Sequence, residues 1–183
     1  IEMNLTKLFD MQRVLDQRIM DKHPELKGQE NLEWKVLALQ VELGECANEH
    51  RGFKKWSNDQ EPRTAWKQPS YRGGYIERNL LLEEYVDCLH FILSIGIELG
   101  FMDIEIWGSP EKNTTRQFLK CFHQIDSLSF IMSNEWHVSI EVYENLFGTF
   151  VELGKMLGFT WEQIEQAYFE KNKINHTRQE QGY

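Results

Sequence analysis

This sequence predicts an all-α chain, a helical bundle of about six helices, on three observations. Apolar residues recur at the helical period in successive segments, with turn formers gathered between them. Of the four prolines, Pro62, Pro69 and Pro110 fall in stretches that already read as loops. Period-two alternation never persists beyond four residues, and there is no glycine-rich nucleotide fingerprint or P-loop. At 183 residues and 41% hydrophobic, the chain is long enough to form a single domain, 1–183, around a sizeable core.

The first helix is expected from about Leu5 to Met20, stopping before "HPELKG". The second covers about Glu30 to Arg51 and leads into "SNDQEPRTAWKQPSYRGG", residues 57–74, a polar, turn-rich variable loop without clear strand alternation. A third runs from about Tyr75 to Leu99 and ends at Gly100. Residues 101–117 form a second variable segment, where Trp107 looks exposed and hints at an interface. Thr114 or Thr115 is the expected cap of a fourth helix reaching Ser133, and a fifth covers Val138 to Leu157. In "TWEQ", Thr160 and Gln163 form a capping box that opens a sixth helix running to about Arg178.

With 20 basic and 29 acidic residues, the net charge is 20 − 29 = −9. Such a surface repels a phosphate backbone, so general nucleic-acid binding is not expected. A small phosphorylated ligand is still compatible, because a divalent metal inverts the charge of a site locally. Cys46, Cys88 and Cys121 are odd in number and far apart, which suits inert buried thiols in a reducing compartment. The most apolar stretch, Cys88 to Phe101, is too short to span a bilayer and carries His90 and Glu98, so no membrane role is expected. No secretory leader pattern opens the chain, and the expected location is cytoplasmic.

Two acidic pairs interrupt apolar faces. On a wheel of about 100° per residue, Trp34, Leu37, Ala38 and Val41 share one face of the second helix, and Leu32, Val36, Leu39 and Leu43 the opposite one. A helix apolar on both sides is usually sandwiched inside a bundle or an oligomer. Glu45 falls in the middle of the Trp34–Val41 stripe and Glu42 at its edge, so neither is expected on a solvated face. On the third helix Leu80, Glu84, Asp87, Phe91 and Ile95 share a stripe. Burying such carboxylates uncompensated costs several kcal/mol each, so cations must lie between them or their protons must stay on. Surface placement or internal ion pairs would be the ordinary explanation of a single pair. Two pairs on apolar stripes with almost no basic residue on the same faces favour magnesium, which takes carboxylate oxygens together with substrate phosphates. Four carboxylates exceed the need of one ion, so two or three per site are expected.

Near the C-terminus, Tyr168, Lys171, Asn175 and Arg178 lie within about 80° of one another on a helix. Such a donor-rich stripe suits phosphate oxygens, though a solvated helix end with cations near its C-terminus reads the same way.

The order Glu-x-x-Glu then Glu-x-x-Asp resembles the all-α nucleoside triphosphate pyrophosphatase superfamily. "VELGECANEHRGFKKW", "LLEEYVDCLHFILSIGIELG", "YFEKNKINHTRQEQGY" and "LFDMQRVLDQRI" together look like the dimeric dUTPase family of Gram-positive bacteria, their phages and trypanosomatids. The likeness runs from Leu8 to Tyr183, apart from the loop 57–74 and the stretch 101–117. It implies magnesium-dependent hydrolysis of dUTP, with dUDP as a further substrate, through water attack on the α-phosphorus in an obligate homodimer. Carried over by position, Glu42, Glu45, Glu84 and Asp87 would be metal ligands, and Glu45 or Glu42 would activate the water. Glu45 is favoured because it is more central on its stripe. The segment 165–183 would become a triphosphate clamp through Lys171, Asn175, Arg178 and Tyr168, with Lys55 as a further phosphate contact. Gln12 and Trp56 would hold the base, Asp16 the base or sugar, and Phe91 and His90 the deoxyribose pocket. The expected alternatives are a relative acting on dCTP or several dNTPs, and a phage-type regulatory protein that binds a repressor partner.

Overall fold

The structure, a computed structural model, describes residues 3–183. Six helices carry the fold: α1 (Leu5–Lys22), α2 (Leu32–His50), α3 (Leu80–Leu99), α4 (Thr114–Ser133), α5 (Ile140–Met156) and α6 (Trp161–Glu180). A 3₁₀ turn at Pro24–Leu26 follows α1, and a small hairpin, β1 (Trp66–Pro69) with β2 (Tyr75–Arg78), separates α2 from α3. Among the described residues the chain is all-α apart from that hairpin.

Helices α1, α3, α4 and α6 start where a side chain satisfies one of their open N–H groups. Asn4 accepts from the Lys7 amide at 3.2 Å and Asn79 from that of Leu82 at 3.0 Å. The α4 cap is Asn113, which accepts from the Arg116 amide at 2.9 Å. It stands one residue before the expected Thr114, in keeping with the better capping of asparagine. The capping box forms as predicted: the Gln163 amide donates to Thr160 Oγ1 at 3.2 Å and the Thr160 amide to Gln163 Oε1 at 2.9 Å.

One boundary is corrected. Tyr75–Arg78, expected to begin the third helix, pairs antiparallel with Trp66–Pro69 instead, Gln68 facing Ile76. Gly73 and Gly74 turn the chain at φ +85 and +77, a region that only glycine enters at no steric cost. Arg63 ties this region back to α2 and α3: its amide donates to Glu49 O at 3.0 Å, and its carbonyl accepts from the Leu81 amide at 3.2 Å.

At the centre lies α3, whose buried residues Leu81, Tyr85, Val86, Leu89, Ile92, Leu93 and Ile95 look in several directions. It packs along α2, α6 and α1 and touches α5. Buried hydroxyls are satisfied by backbone: Tyr143 donates to Ile92 O at 2.8 Å and Tyr85 to Phe150 O at 2.9 Å. The stretch 101–113 has no regular structure, yet its Trp107–Gly108 backbone lies directly on Gly148 of α5, where a Cβ could not fit. Trp107 itself is exposed, and all three cysteines are free and buried. No helix among the described residues is long and apolar enough to cross a membrane.

Candidate active site

Because α2 and α3 pack side by side, the two acidic pairs meet. Glu42 of α2 and Glu84 and Asp87 of α3 present carboxylate oxygens that all lie within 4.8 Å of one another. All three are partly buried. Burial is the largest influence on each, and it raises each pKa; the neighbouring acids add to it for Glu42 and Glu84. Glu42 and Glu84 are both pushed up to about 7. Asp87 differs in having a cation at hand, since Lys171 of α6 places Nζ 2.6 Å from its Oδ2. The raised pKa values of Glu42 and Glu84 and the Lys171 ammonium beside Asp87 both ease the repulsion of carboxylates gathered this closely.

Glu45 stands apart. It is exposed in the single chain, against the expectation that neither glutamate of its pair would face solvent. The reason is that Trp34, Leu37 and Val41, the stripe it interrupts, are themselves uncovered. Glu45 nevertheless reaches Glu42, whose pKa its charge and contact raise.

The donor set fits a hard divalent cation: oxygen only, anionic, drawn from two helices, and only partly compensated by Lys171. A family model for dUTPase matches residues 4–183, nearly the whole chain. The chain belongs to the all-α dimeric dUTPase family. It is an enzyme that hydrolyses dUTP. None of the curated proteins matches it.

The remaining predicted positions of this dUTPase fall into three groups. On α6, Lys171 and Asn175 are partly buried, while Arg178 is exposed, its guanidinium 5.2 Å from the Tyr183 ring centroid. Arg178 still acts on the carboxylate cluster, lowering the Asp87 pKa. Tyr168 lies on the same stripe but is wholly buried, its hydroxyl donating to Gln12 Oε1 at 2.9 Å. Following α2, Lys55 and Trp56 are exposed, with Trp56 edge-on to Phe53 at 5.7 Å between centroids.

The third group is an interior polar chain joining α1, α3 and α6. Gln12 is buried and accepts from His90 Nδ1 at 2.7 Å while donating through Nε2 to Asp16 Oδ1 at 2.8 Å. His90 stacks on Tyr168 at 4.3 Å, and burial, helped by Lys171, drops its pKa to about 3. A neutral ring donating from Nδ1 leaves Nε2 as a bare acceptor, and that atom is buried without a partner. Phe91 is partly buried against the core. Ser94, which the sequence reading passed over, donates to Asp16 Oδ2 at 2.7 Å. Its signal was legible: a small polar residue in an apolar helix, seven residues after Asp87 on the same stripe. Asn172, off that stripe of α6, is buried and its Nδ2 has no partner.

Proposed function

We propose that this dUTPase acts with magnesium held by Glu42, Glu45, Glu84 and Asp87, converting dUTP to dUMP and pyrophosphate by attack of water on the α-phosphorus. dUDP serves as a further substrate through the same attack. The observation that carries this reading is the meeting of three carboxylates within 4.8 Å, two of them pushed up to about 7 by burial and by the neighbouring acids. Four carboxylates would hold two or three such ions together with the triphosphate. When bound, such ions neutralise phosphate charge and make the attacking water a better nucleophile.

The chain's own groups divide the remaining work. Glu45, exposed and outside the tight trio, is free to orient the water and take its proton. Lys171, Asn175 and Arg178 offer donors from one face of α6 to the phosphate oxygens, with Lys55 beyond the end of α2. Tyr168 contributes from inside by holding Gln12. Gln12 contacts uracil, Trp56 stacks on it, and Phe91 leaves a ribose 2′-hydroxyl without a partner, with His90 beside it. The uncovered stripe of Trp34, Leu37 and Val41 is the surface on which two copies pair as a homodimer.

A panel of dNTPs incubated with the purified enzyme and magnesium, assayed for pyrophosphate, tests the reading. Release confined to dUTP is expected, and its loss when EDTA replaces magnesium. Release from dCTP or purine nucleotides would move the assignment to a broader pyrophosphatase. No release from folded protein would leave a regulatory binding role, with a repressor-type partner.

A further inference from the structure

The two ends of a glutamine amide are nearly equal in shape and opposite in hydrogen bonding, so its value as a base contact depends on which way it faces. Gln12, only 3% exposed, has that choice made for it. Asp16 Oδ1 lies 2.8 Å from Nε2, and a carboxylate only accepts, so the nitrogen end must face it. Asp16 cannot turn aside, because Oδ2 is held by the Ser94 hydroxyl at 2.7 Å. Burial raises the Asp16 pKa; the hydrogen bonds from Ser94 and Gln12, and then the charge of Lys35, itself paired with Glu98 at 2.7 Å, work against it and favour the carboxylate. With the nitrogen committed to Asp16, the oxygen faces Tyr168 and His90, whose hydroxyl and Nδ1–H fill both lone pairs at 2.9 and 2.7 Å.

One hydrogen-bonding valence of Gln12 is then left: the second N–H of Nε2, a donor. At position 4 uracil carries a carbonyl oxygen, an acceptor, whereas cytosine carries an amino group, a donor. A fixed donor meets the first and leaves the second with two donors opposed and a buried group unpaired. We propose that Asp16 and Ser94 set the polarity of Gln12 and thereby select a 4-oxo over a 4-amino pyrimidine. Both are positioning residues that act through Gln12. The inference rests on the reading of Gln12 as the base contact, and it moves Asp16 from touching the nucleoside to steering the group that does.

The experiment compares kcat/KM for dUTP with that for dCTP in the magnesium-loaded enzyme and in Gln12→Ala, Asp16→Ala, Ser94→Ala and Ser94→Thr. Asp16→Ala and Ser94→Ala are expected to lower the dUTP:dCTP ratio by about tenfold or more, chiefly through KM for dUTP, with Ser94→Thr restoring it through its hydroxyl. A merely structural role would instead lower turnover of both nucleotides together. A wild-type ratio in cooperatively melting Asp16→Ala or Ser94→Ala, beside a collapsed ratio in Gln12→Ala, would overturn the proposal and leave the base contact standing. An unchanged ratio in Gln12→Ala would instead remove the base contact, and the proposal with it. Should either Asp16→Ala or Ser94→Ala fail to fold, the other decides. Equal use of dCTP by the unaltered enzyme would overturn the proposal at the outset.

Discussion

Helices α2 and α3 look alike in sequence, each apolar on more than one side and each broken by two acids three residues apart, yet the fold treats them differently. No large apolar residue of α3 is left exposed, and Leu89, Leu93 and Ile95 are wholly buried. On α2 only one stripe is covered. Val36, Leu39 and Leu43 are buried, while Leu37 and Val41 are 61% and 51% exposed. The acids follow their stripes. Both acids of α3 join the tight carboxylate trio; of the α2 pair, Glu42 joins it and Glu45 remains in solvent. A two-sided apolar pattern therefore states that both sides are to be covered and leaves open whether the same chain or another covers them.

Removing charge from each helix is the severest test of that contrast. Glu84→Gln, which keeps shape inside the trio, is expected to lower kcat by about a thousandfold or more, with melting temperature held or raised. Glu45→Gln is expected to lower kcat by roughly a hundredfold or more, while leaving magnesium affinity closer to wild type than Glu84→Gln does. Steady-state kinetics with a magnesium titration separate the two. Turnover near wild type in Glu45→Gln would remove it from the site, and equal loss of magnesium affinity in both would erase the distinction between the helices.

The apolar stripes can be broken in the same paired way. Leu93→Ala on α3 leaves a cavity in a fully packed core and is expected to cost about 2–5 kcal/mol in denaturant unfolding. Leu37→Glu on α2 meets solvent in the single chain and is expected to change that chain's stability by no more than about 0.5 kcal/mol. Its effect should appear in light scattering, as a fall from the mass of two chains to that of one. A single-chain mass for the unaltered protein in dilute solution would sink the homodimer, and α2 would then simply carry an exposed apolar stripe.

How legible each feature was follows from how local its cause is. The six helices were readable because each repeats its apolar period over several turns and ends at a cap or a glycine, as Thr160 with Gln163 and Gly100 show. The hairpin was not: four-residue strands are too short to display alternation, and the apolar start of "YIER" merges with the α3 pattern behind it. Glu42, Glu84 and Asp87 could be brought together on paper because a buried charge demands a partner. That Lys171 would supply one of those partners could not, because 84 residues separate it from Asp87 and only the docking of α6 on α3 joins them. Ser94 stands out as a polar residue on an apolar stripe, but what it does there is hidden for a similar reason. Its task is set by Asp16, 78 residues away, and nothing adjacent to it in sequence reports that.

The smallest expected effect concerns the protons that stand in for cations between the two helices. Glu42 and Glu84, with pKa near 7 when folded against 4.5 as ordinary glutamates, hold protons that the unfolded chain releases. For acids whose folded pKa is raised, the unfolded state binds fewer protons, so the metal-free protein loses stability as pH rises from about 4.5 through about 7 and levels off above. His90 slopes the other way below its ordinary 6.5, because folding holds it neutral down to about 3. The carboxylate contribution is therefore isolated as the difference between wild type and Glu42→Gln/Glu84→Gln, melted in EDTA at about pH 5.5 and about pH 8. Wild type is expected to gain less, or lose more, on going to the higher pH, and the double variant to lack that deficit. Magnesium should close the gap chiefly at the higher pH, where it need not displace protons to bind. Identical pH dependence in both proteins would mean that α2 and α3 bring their acids together without electrostatic strain, and the demand for a cation between them would lose its physical basis.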